Sequence, residues 1–450
     1  MEEIAGAADS FFPDLENAGG RSCVEFAKRA CSGGELHEAE ILSEICWEKI
    51  HTGHWKDVDV AWRDAYALSQ ILVVDCTLRT FPERGGGLVQ SFPSNPAKDG
   101  GRGDGFAALS KRRSIQPDAQ DSLPKITTKK FESLLKKLDM AAMMGGARFR
   151  AFVDSKISYL EEMLSETHKS NKKLKAACAE DSQFSVGESN NDLPLPDGSL
   201  ESDSDRPHVE RLPSLEDFFL KYMIGEKPCI VDGIIETWPA FEKWRNPGYF
   251  KELHGFRTVP IEVGRHYLAP GWKQELVTFS DFIDSHIATG TRRLPASDPK
   301  NREGGRTENA IGYLAQHPLF DQIPGLQRDI RTPDYCSLGE GEIQSVNAWF
   351  GPPFTITPLH YDPHHNLLSQ VVGRKYVRLY PPSCTEKLLP FEDEMRKNSS
   401  QIDLDRDGGL VDMNKVDCIL APGQMLYIPP KWWHYVKALD VSFSVSFWWK

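Results

Sequence analysis

The chain carries a His-x-Asp triplet, His360-Tyr361-Asp362, and far downstream a third donor, His434, inside Trp432-Trp433-His434-Tyr435. Two imidazoles and one carboxylate are the donor set of a facial iron(II) site. Such a site grips the metal on one triangular side and leaves the opposite side open for cosubstrate and oxygen. Taken singly, each residue has a plainer explanation. A lone His-x-Asp is usually a solvated loop, and a histidine amid bulky aromatics is usually a satisfied core residue. Their value depends on the company they keep.

That company begins with Lys375. Lys375-Tyr376-Val377-Arg378-Leu379-Tyr380 reads as a strand, rich in aromatic and β-branched residues and closed by Pro381-Pro382. Alternation puts Lys375 on the face of Val377 and Leu379. If that face is inner, the ammonium is buried and needs an anion beside it; otherwise it lies at the strand mouth and snorkels to water. Beside an iron site, the distal carboxylate of 2-oxoglutarate is the natural counter-ion. The same parity sends His360 and Asp362 to one side and Tyr361 to the other. Asn366 keeps that parity only if the strand survives Pro363. His364 and His365 are assigned to a loop or strand rim.

The elements that must hold these groups are mostly short strands. Ala421-Pro422-Gly423-Gln424 has the residues of a type II turn, and Met425 to Ile428 reads as a buried strand ahead of His434. Val441, Phe443, Val445 and Phe447 alternate with Ser442, Ser444 and Ser446, a period of two. Val259–Val263, Ala310–Leu314, Ile343–Phe350 and Asn366–Val372 are further candidates. Short strands broken by Gly, Pro and Asp turns indicate a sandwich or jelly roll, whose mouth can hold a metal between non-adjacent segments.

Residues from about 206 to 450 resemble a JmjC-type 2-oxoglutarate oxygenase of the cupin superfamily. The similarity is to the small chromatin-associated group with a helical N-terminal region, known as arginyl hydroxylases and as histone lysine demethylases; the N-terminal half looks more like its plant members. It rests on Gly312-Tyr313-Leu314-Ala315-Gln316, Asn347-Ala348-Trp349-Phe350-Gly351, Thr357-Pro358-Leu359-His360, Gly373-Arg374-Lys375-Tyr376 and Ser442 through Trp449. The resemblance implies iron ligation by His360, Asp362 and His434. It implies 2-oxoglutarate contacts from Tyr313, Thr357, Asn366, Lys375 and Trp448, and a substrate pocket with Glu262, Tyr267 and Trp349. Tyr361, His364 and His365 stand where animal relatives have glutamines. The implied chemistry consumes 2-oxoglutarate and O2, releases succinate and carbon dioxide, and oxidises a nearby C–H bond. On a side-chain carbon the alcohol persists; on an N-methyl group it collapses to formaldehyde.

An acid with aromatic faces suits a guanidinium or alkylated ammonium, although the same residues also serve as surface acid and core aromatics. A net charge of −12 argues against a sequence-specific nucleic-acid binder and suits basic partners such as histone tails. The nine cysteines have no paired spacing, so neither a zinc finger nor a disulfide framework is expected. With no signal-like or membrane-length apolar run, the expected location is the nucleus and also the cytoplasm.

Three regions are expected around this chemistry. Residues 1–165 read as a helical domain with a flexible Gly/Pro/Ser-rich loop near 84–106. Its apolar stripes are Ala61, Ala65, Leu68 and Leu72; Phe131, Leu134, Leu135 and Leu138; and Phe149, Phe152, Val153, Ile157, Leu160 and Leu164. Residues 166–205 read as an acidic disordered linker, with no lysine or arginine from Glu180 to Asp205. Residues 206–450 form the catalytic domain, opened by Ser214 as a helix cap. The class is therefore α+β: a helical domain, then a double-stranded β-helix. Two other readings compete with an active oxygenase. One is a silent JmjC scaffold that binds basic peptides, against which the complete donor set speaks. The other is a cupin isomerase or storage protein, which would use His-x-His with Glu.

Overall fold

The computed structural model describes residues 2–80, 125–172, 206–288, 311–405 and 414–450. The expected loop near 84–106 and the acidic run from Glu180 to Asp205 lie outside the described residues. The chain divides into two compact units, Met1–Lys175 and Ala176–Lys450.

The first unit is helical: α1 (Glu2–Asn17), α2 (Arg21–Gly33), α3 (Leu36–Ile50), α4 (Val60–Arg79), α5 (Lys125–Met144) and α6 (Arg150–Lys172). Asp59 caps α4 by accepting the Ala61 N–H at 2.8 Å. The apolar stripe expected on α4 is only part of what it buries, since every residue from Asp64 to Thr77 is enclosed. α4 is the central helix of the unit. Its buried Asp75 takes a 2.6 Å ion pair from Lys156 of α6, because a carboxylate so enclosed requires a partner. The other two stripes bury Leu134, Leu135, Leu138, Phe149, Val153, Ile157, Leu160 and Leu164, whereas Phe131 and Phe152 are half-buried. α1 to α3 had no counterpart in the stripes read from sequence. α6 runs past the expected boundary at residue 165.

The second unit is built from strands. The first six are β1 (His208–Arg211), β2 (Cys229–Asp232), β3 (Thr258–Val263), β4 (Lys273–Thr278), β5 (Gly312–His317) and β6 (Ile343–Gly351). There follow β7 (Ile356–Tyr361), β8 (His365–Val372), β9 (Lys375–Tyr380), β10 (Val416–Leu420), β11 (Met425–Ile428), β12 (Trp433–Ala438) and β13 (Ser442–Trp449). A nine-stranded sheet runs β1-β2-β11-β8-β13-β6-β5-β3-β4, and a four-stranded one runs β10-β9-β12-β7. Only the β1–β2 pairing is parallel among those described. This is the expected double-stranded β-helix. Ser214 caps the first short helix, accepting from the Asp217 N–H at 3.0 Å.

The period of two in β13 explains how the large sheet serves two layers. Phe443, Val445 and Phe447 enter an outer core with Trp238, Trp244 and Phe250. The serines on the other face are equally buried, turned into the barrel rather than to water. There, Leu368, Leu426 and Ile428 of the large sheet meet Val377, Leu379 and Val436 of the small one.

Candidate active site

β7 and β12 lie side by side with His360 opposite His434. Between that pair and the next, Thr357 opposite Val436, β7 holds one more residue than β12. The bulge falls at Pro358-Leu359, and a proline without an N–H is tolerated where the ladder is interrupted. The extra residue resets the alternation. Thr357 and His360, three apart, therefore line the same cavity, where a regular strand would have turned them to opposite sides.

Asp362 follows β7 in a turn held by the Lys431 N–H, which donates to the Asp362 carbonyl at 2.8 Å. His360, Asp362 and His434 form the one cluster of three metal-competent groups among the described residues, their donor atoms within 4.8 Å of one another. His434 Nε2 lies 3.5 Å from Asp362 Oδ2, and His360 Nε2 lies 3.9 Å from Asp362 Oδ1.

Both rings are oriented from behind. His360 Nδ1 is 2.8 Å from the Pro358 carbonyl, and His434 Nδ1 is 3.0 Å from that of Trp432. A carbonyl only accepts, so each Nδ1 carries the proton and each Nε2 presents a lone pair inward. This is the tautomer a metal requires, fixed by the hydrogen bond on the far nitrogen. Burial, reinforced by the His434 ring, pushes His360 down to about 4, keeping it neutral. Burial opposes the charge on Asp362, but the neighbouring His434 and His360 hold its carboxyl below the usual carboxylate range. The donors fit a divalent transition metal with two nitrogens and one oxygen.

The possible run of one strand from His360 to Asn366 does not occur. β7 ends at Tyr361 and β8 begins at His365 in the other sheet. Asn366 nevertheless reaches the cavity from β8, with its Oδ1 buried and unpartnered among the described residues. His364 and His365 stay outside the donor cluster. His365 Nδ1 meets the Tyr427 hydroxyl at 2.8 Å, and its ring stacks 5.2 Å from Trp449; His364 sits 6.3 Å from Trp448.

Lys375 stands at the other end of the cavity, 1% exposed. Its Nζ donates to the Tyr313 hydroxyl at 3.3 Å, and Thr357 lines the same cavity. No carboxylate pairs with it among the described residues, and burial pushes it down to about 7. An enclosed ammonium with two hydroxyls and no counter-ion is a receptor for an anion. Trp448 pairs with Asn366 in register but does not line this cavity; its indole nitrogen is buried without a partner among the described residues.

The three substrate candidates lie around this centre but not in one cavity. Trp349 shares the cavity of the metal donors, its indole N–H donating to Ser446 at 2.9 Å. Glu262 lies on β3 opposite Tyr313 and lines the adjoining cavity. Trp272 donates to one of its oxygens at 3.2 Å, and burial raises its pKa despite that bond. Tyr267 is 3.0 Å from Ser399, whose backbone is bridged to His360. Burial, with Asp362 and Glu262 nearby, pushes the Tyr267 phenol up to about 12. Trp272, Ser399 and Ser446 were not anticipated. Ser446 was visible in the β13 alternation, but the partner of its face was not. A buried indole near an acid was the available signal for Trp272.

Comparison with known proteins places both units. Residues 215–450 match the cupin-like domain, and residues 4–83 match the N-terminal ARM repeats of the KDM8-like type. The chain is 36% identical to lysine-specific demethylase JMJ30 of Arabidopsis thaliana, over 98% of this chain and 92% of that protein. It is 35% identical to lysine-specific demethylase 8 of Danio rerio, over 91% and 86% of the two chains. The bifunctional peptidase and (3S)-lysyl hydroxylase JMJD7 of Homo sapiens is 26% identical over 54% of this chain and 83% of its own. The chain belongs to the cupin-like JmjC family of 2-oxoglutarate-dependent oxygenases, with KDM8-like repeats ahead of the oxygenase fold.

Proposed function

We propose that His360, Asp362 and His434 hold Fe(II), that Lys375 with Tyr313 and Thr357 receives the far carboxylate of 2-oxoglutarate, and that the enzyme oxidises a basic side chain of a protein. The observation that carries this is the single cavity with inward-facing imidazole lone pairs at one end and an unpaired buried ammonium at the other. A dicarboxylate able to chelate a metal at one end and charge-pair at the other suits both. Bound iron and 2-oxoglutarate supply the oxidising power, which takes one oxygen atom of O2 into a C–H bond and releases succinate and carbon dioxide. The chain supplies position. Asn366 offers a polar contact beside the metal, and Leu368, Ile428 and Val436 keep water away from the reacting centre.

Glu262 and Trp349 fit a guanidinium, the carboxylate binding one edge and the indole covering a face. We therefore favour arginine hydroxylation. The names of the demethylase relatives support methyl-lysine as the second reading, in which the hydroxylated methyl leaves as formaldehyde. Histone tails are the basic partners proposed, with a role in chromatin and transcription. We place the protein in the nucleus and also in the cytoplasm, which imaging of a tagged full-length chain tests. For the chemistry, arginine and methyl-lysine peptides incubated with enzyme, Fe(II) and 2-oxoglutarate are read by intact mass. Gain of one oxygen on arginine supports the first reading, and it should fall about tenfold in Glu262→Gln through a raised KM. Loss of a methylene with formaldehyde from methyl-lysine, and no change on arginine, selects the second.

A further inference from the structure

Three cavities adjoin beside β7. The one with the metal donors shares Tyr313 with the one holding Glu262, which in turn shares Arg265, His266 and Ile356 with a third. The third is the roomiest, about 140 Å³ against about 20 Å³ around the metal donors. No residue assigned above makes use of it. Since a water takes about 30 Å³, the space accepts an aliphatic side chain.

Its walls say what would enter. Leu268, Ala269, Phe391 and Leu404 present apolar surface. Arg265 and Asp403 also face it, but as a forked ion pair with Nη2 to Oδ1 at 2.8 Å. Their charges cancel, so the cavity calls for no charge of its own. His266 lines both this cavity and its neighbour. It is 8% exposed, its Nδ1 is buried with no partner among the described residues, and its Nε2 lies 3.8 Å from Asp403 Oδ2. A polar atom left unsatisfied in this way gains from an incoming hydrogen-bonding group.

Location supplies the rest. One wall is the loop that carries Tyr267 and leads from Glu262 to Trp272. The other is the segment after Ser399, which is bridged to His360. The cavity shares Arg265, His266 and Ile356 with the one holding Glu262, beside which the residues next to an oxidised side chain would lie.

We propose that this cavity is a second substrate subsite, taking the uncharged, medium-sized aliphatic side chain of a residue that flanks the oxidised one, while a peptide polar group bonds to His266. This rests on the reading of the chain as an oxygenase of basic peptides.

The test uses the full-length enzyme with Fe(II), 2-oxoglutarate and synthetic peptides. Each peptide has one central arginine or methyl-lysine in a glycine background. A single leucine is placed in turn at each nearby position on either side. One position should lower KM by about tenfold relative to glycine, the size of a filled apolar pocket. Ala269→Phe, which fills the cavity, should bring that ratio close to one. Leu404→Ala, which enlarges it, should move the preference from leucine to phenylalanine. Ratios taken within each variant are insensitive to the fraction of folded enzyme. A flat leucine scan, or an Ala269→Phe enzyme that keeps the leucine preference, overturns the subsite alone. If 2-oxoglutarate is consumed but no basic peptide is oxidised, the functional reading fails and the subsite with it.

Discussion

Lys375 sits at the end of the metal-donor cavity where, among the described residues, positive charge is enclosed without an acid to balance it. A charge-assisted contact there is worth roughly 1.5–3 kcal/mol, so Lys375→Ala should weaken 2-oxoglutarate about tenfold to a hundredfold. Iron affinity, set at the other end by the two imidazoles and Asp362, should stay put; calorimetric titration of each separately checks both. The pH dependence has a definite sign. In the ligand-free cavity the lysine loses its proton as pH rises through about 7, whereas a bound carboxylate favours the charged form and raises its pKa. Binding therefore takes up a proton above pH 7, and 2-oxoglutarate affinity should fall with rising pH, by up to about tenfold per unit. Affinity that is flat from pH 7 to 9 would show that Lys375 is not the anion receptor. The lysine and the donor triplet were legible from residue type and spacing, whereas Glu262 came only from the family resemblance. The pairing of Thr357 with His360 was not, because a bulge in β7 breaks the parity on which such readings depend.

At the scale of elements, the site depends on strands that change sheet. β8 ends in the large sheet and β9 starts in the small one, across Gly373-Arg374. That two-residue turn launches Lys375. Gly373 has φ +68°, and a Cβ there would lie 2.1 Å from the Val441 carbonyl oxygen. Arg374 fastens the turn with a fork onto Asp440, at 2.7 and 3.2 Å. Gly373→Ala is therefore expected to cost at least about 2 kcal/mol and lower the Tm of the second unit by about 4–8 °C. Calorimetry reads this directly, and an unchanged Tm would mean the turn relaxes freely. Alternation and turn residues made β3, β5, β6, β8, β9, β11 and β13 readable in advance. β1, β2, β4 and β10 were not, being short or half-exposed strands without a clean alternation.

For the whole molecule, each unit has its own buried core, and every residue proposed for metal, cosubstrate and substrate lies in the second. A chain starting at Arg206 should fold and still convert 2-oxoglutarate to succinate in the absence of peptide. If it is folded and binds iron but makes no succinate, the helical unit completes the site. Three amphipathic stripes revealed the helical half in outline. Its central helix α4 was read as a one-faced stripe although it is enclosed on all sides, and α1 to α3 were not read.

The central claim is that a centre formed by His360, Asp362 and His434 couples 2-oxoglutarate turnover to oxidation of a basic side chain. The most direct measurement counts succinate and oxidised peptide together, in the parent and in His434→Ala. The parent should release at least one succinate per oxygen inserted or methyl removed, in an Fe(II)-dependent manner. The His434→Ala enzyme, folded as judged by circular dichroism, should produce neither product. Undiminished succinate from that variant, or oxidised peptide formed without succinate, would contradict the account.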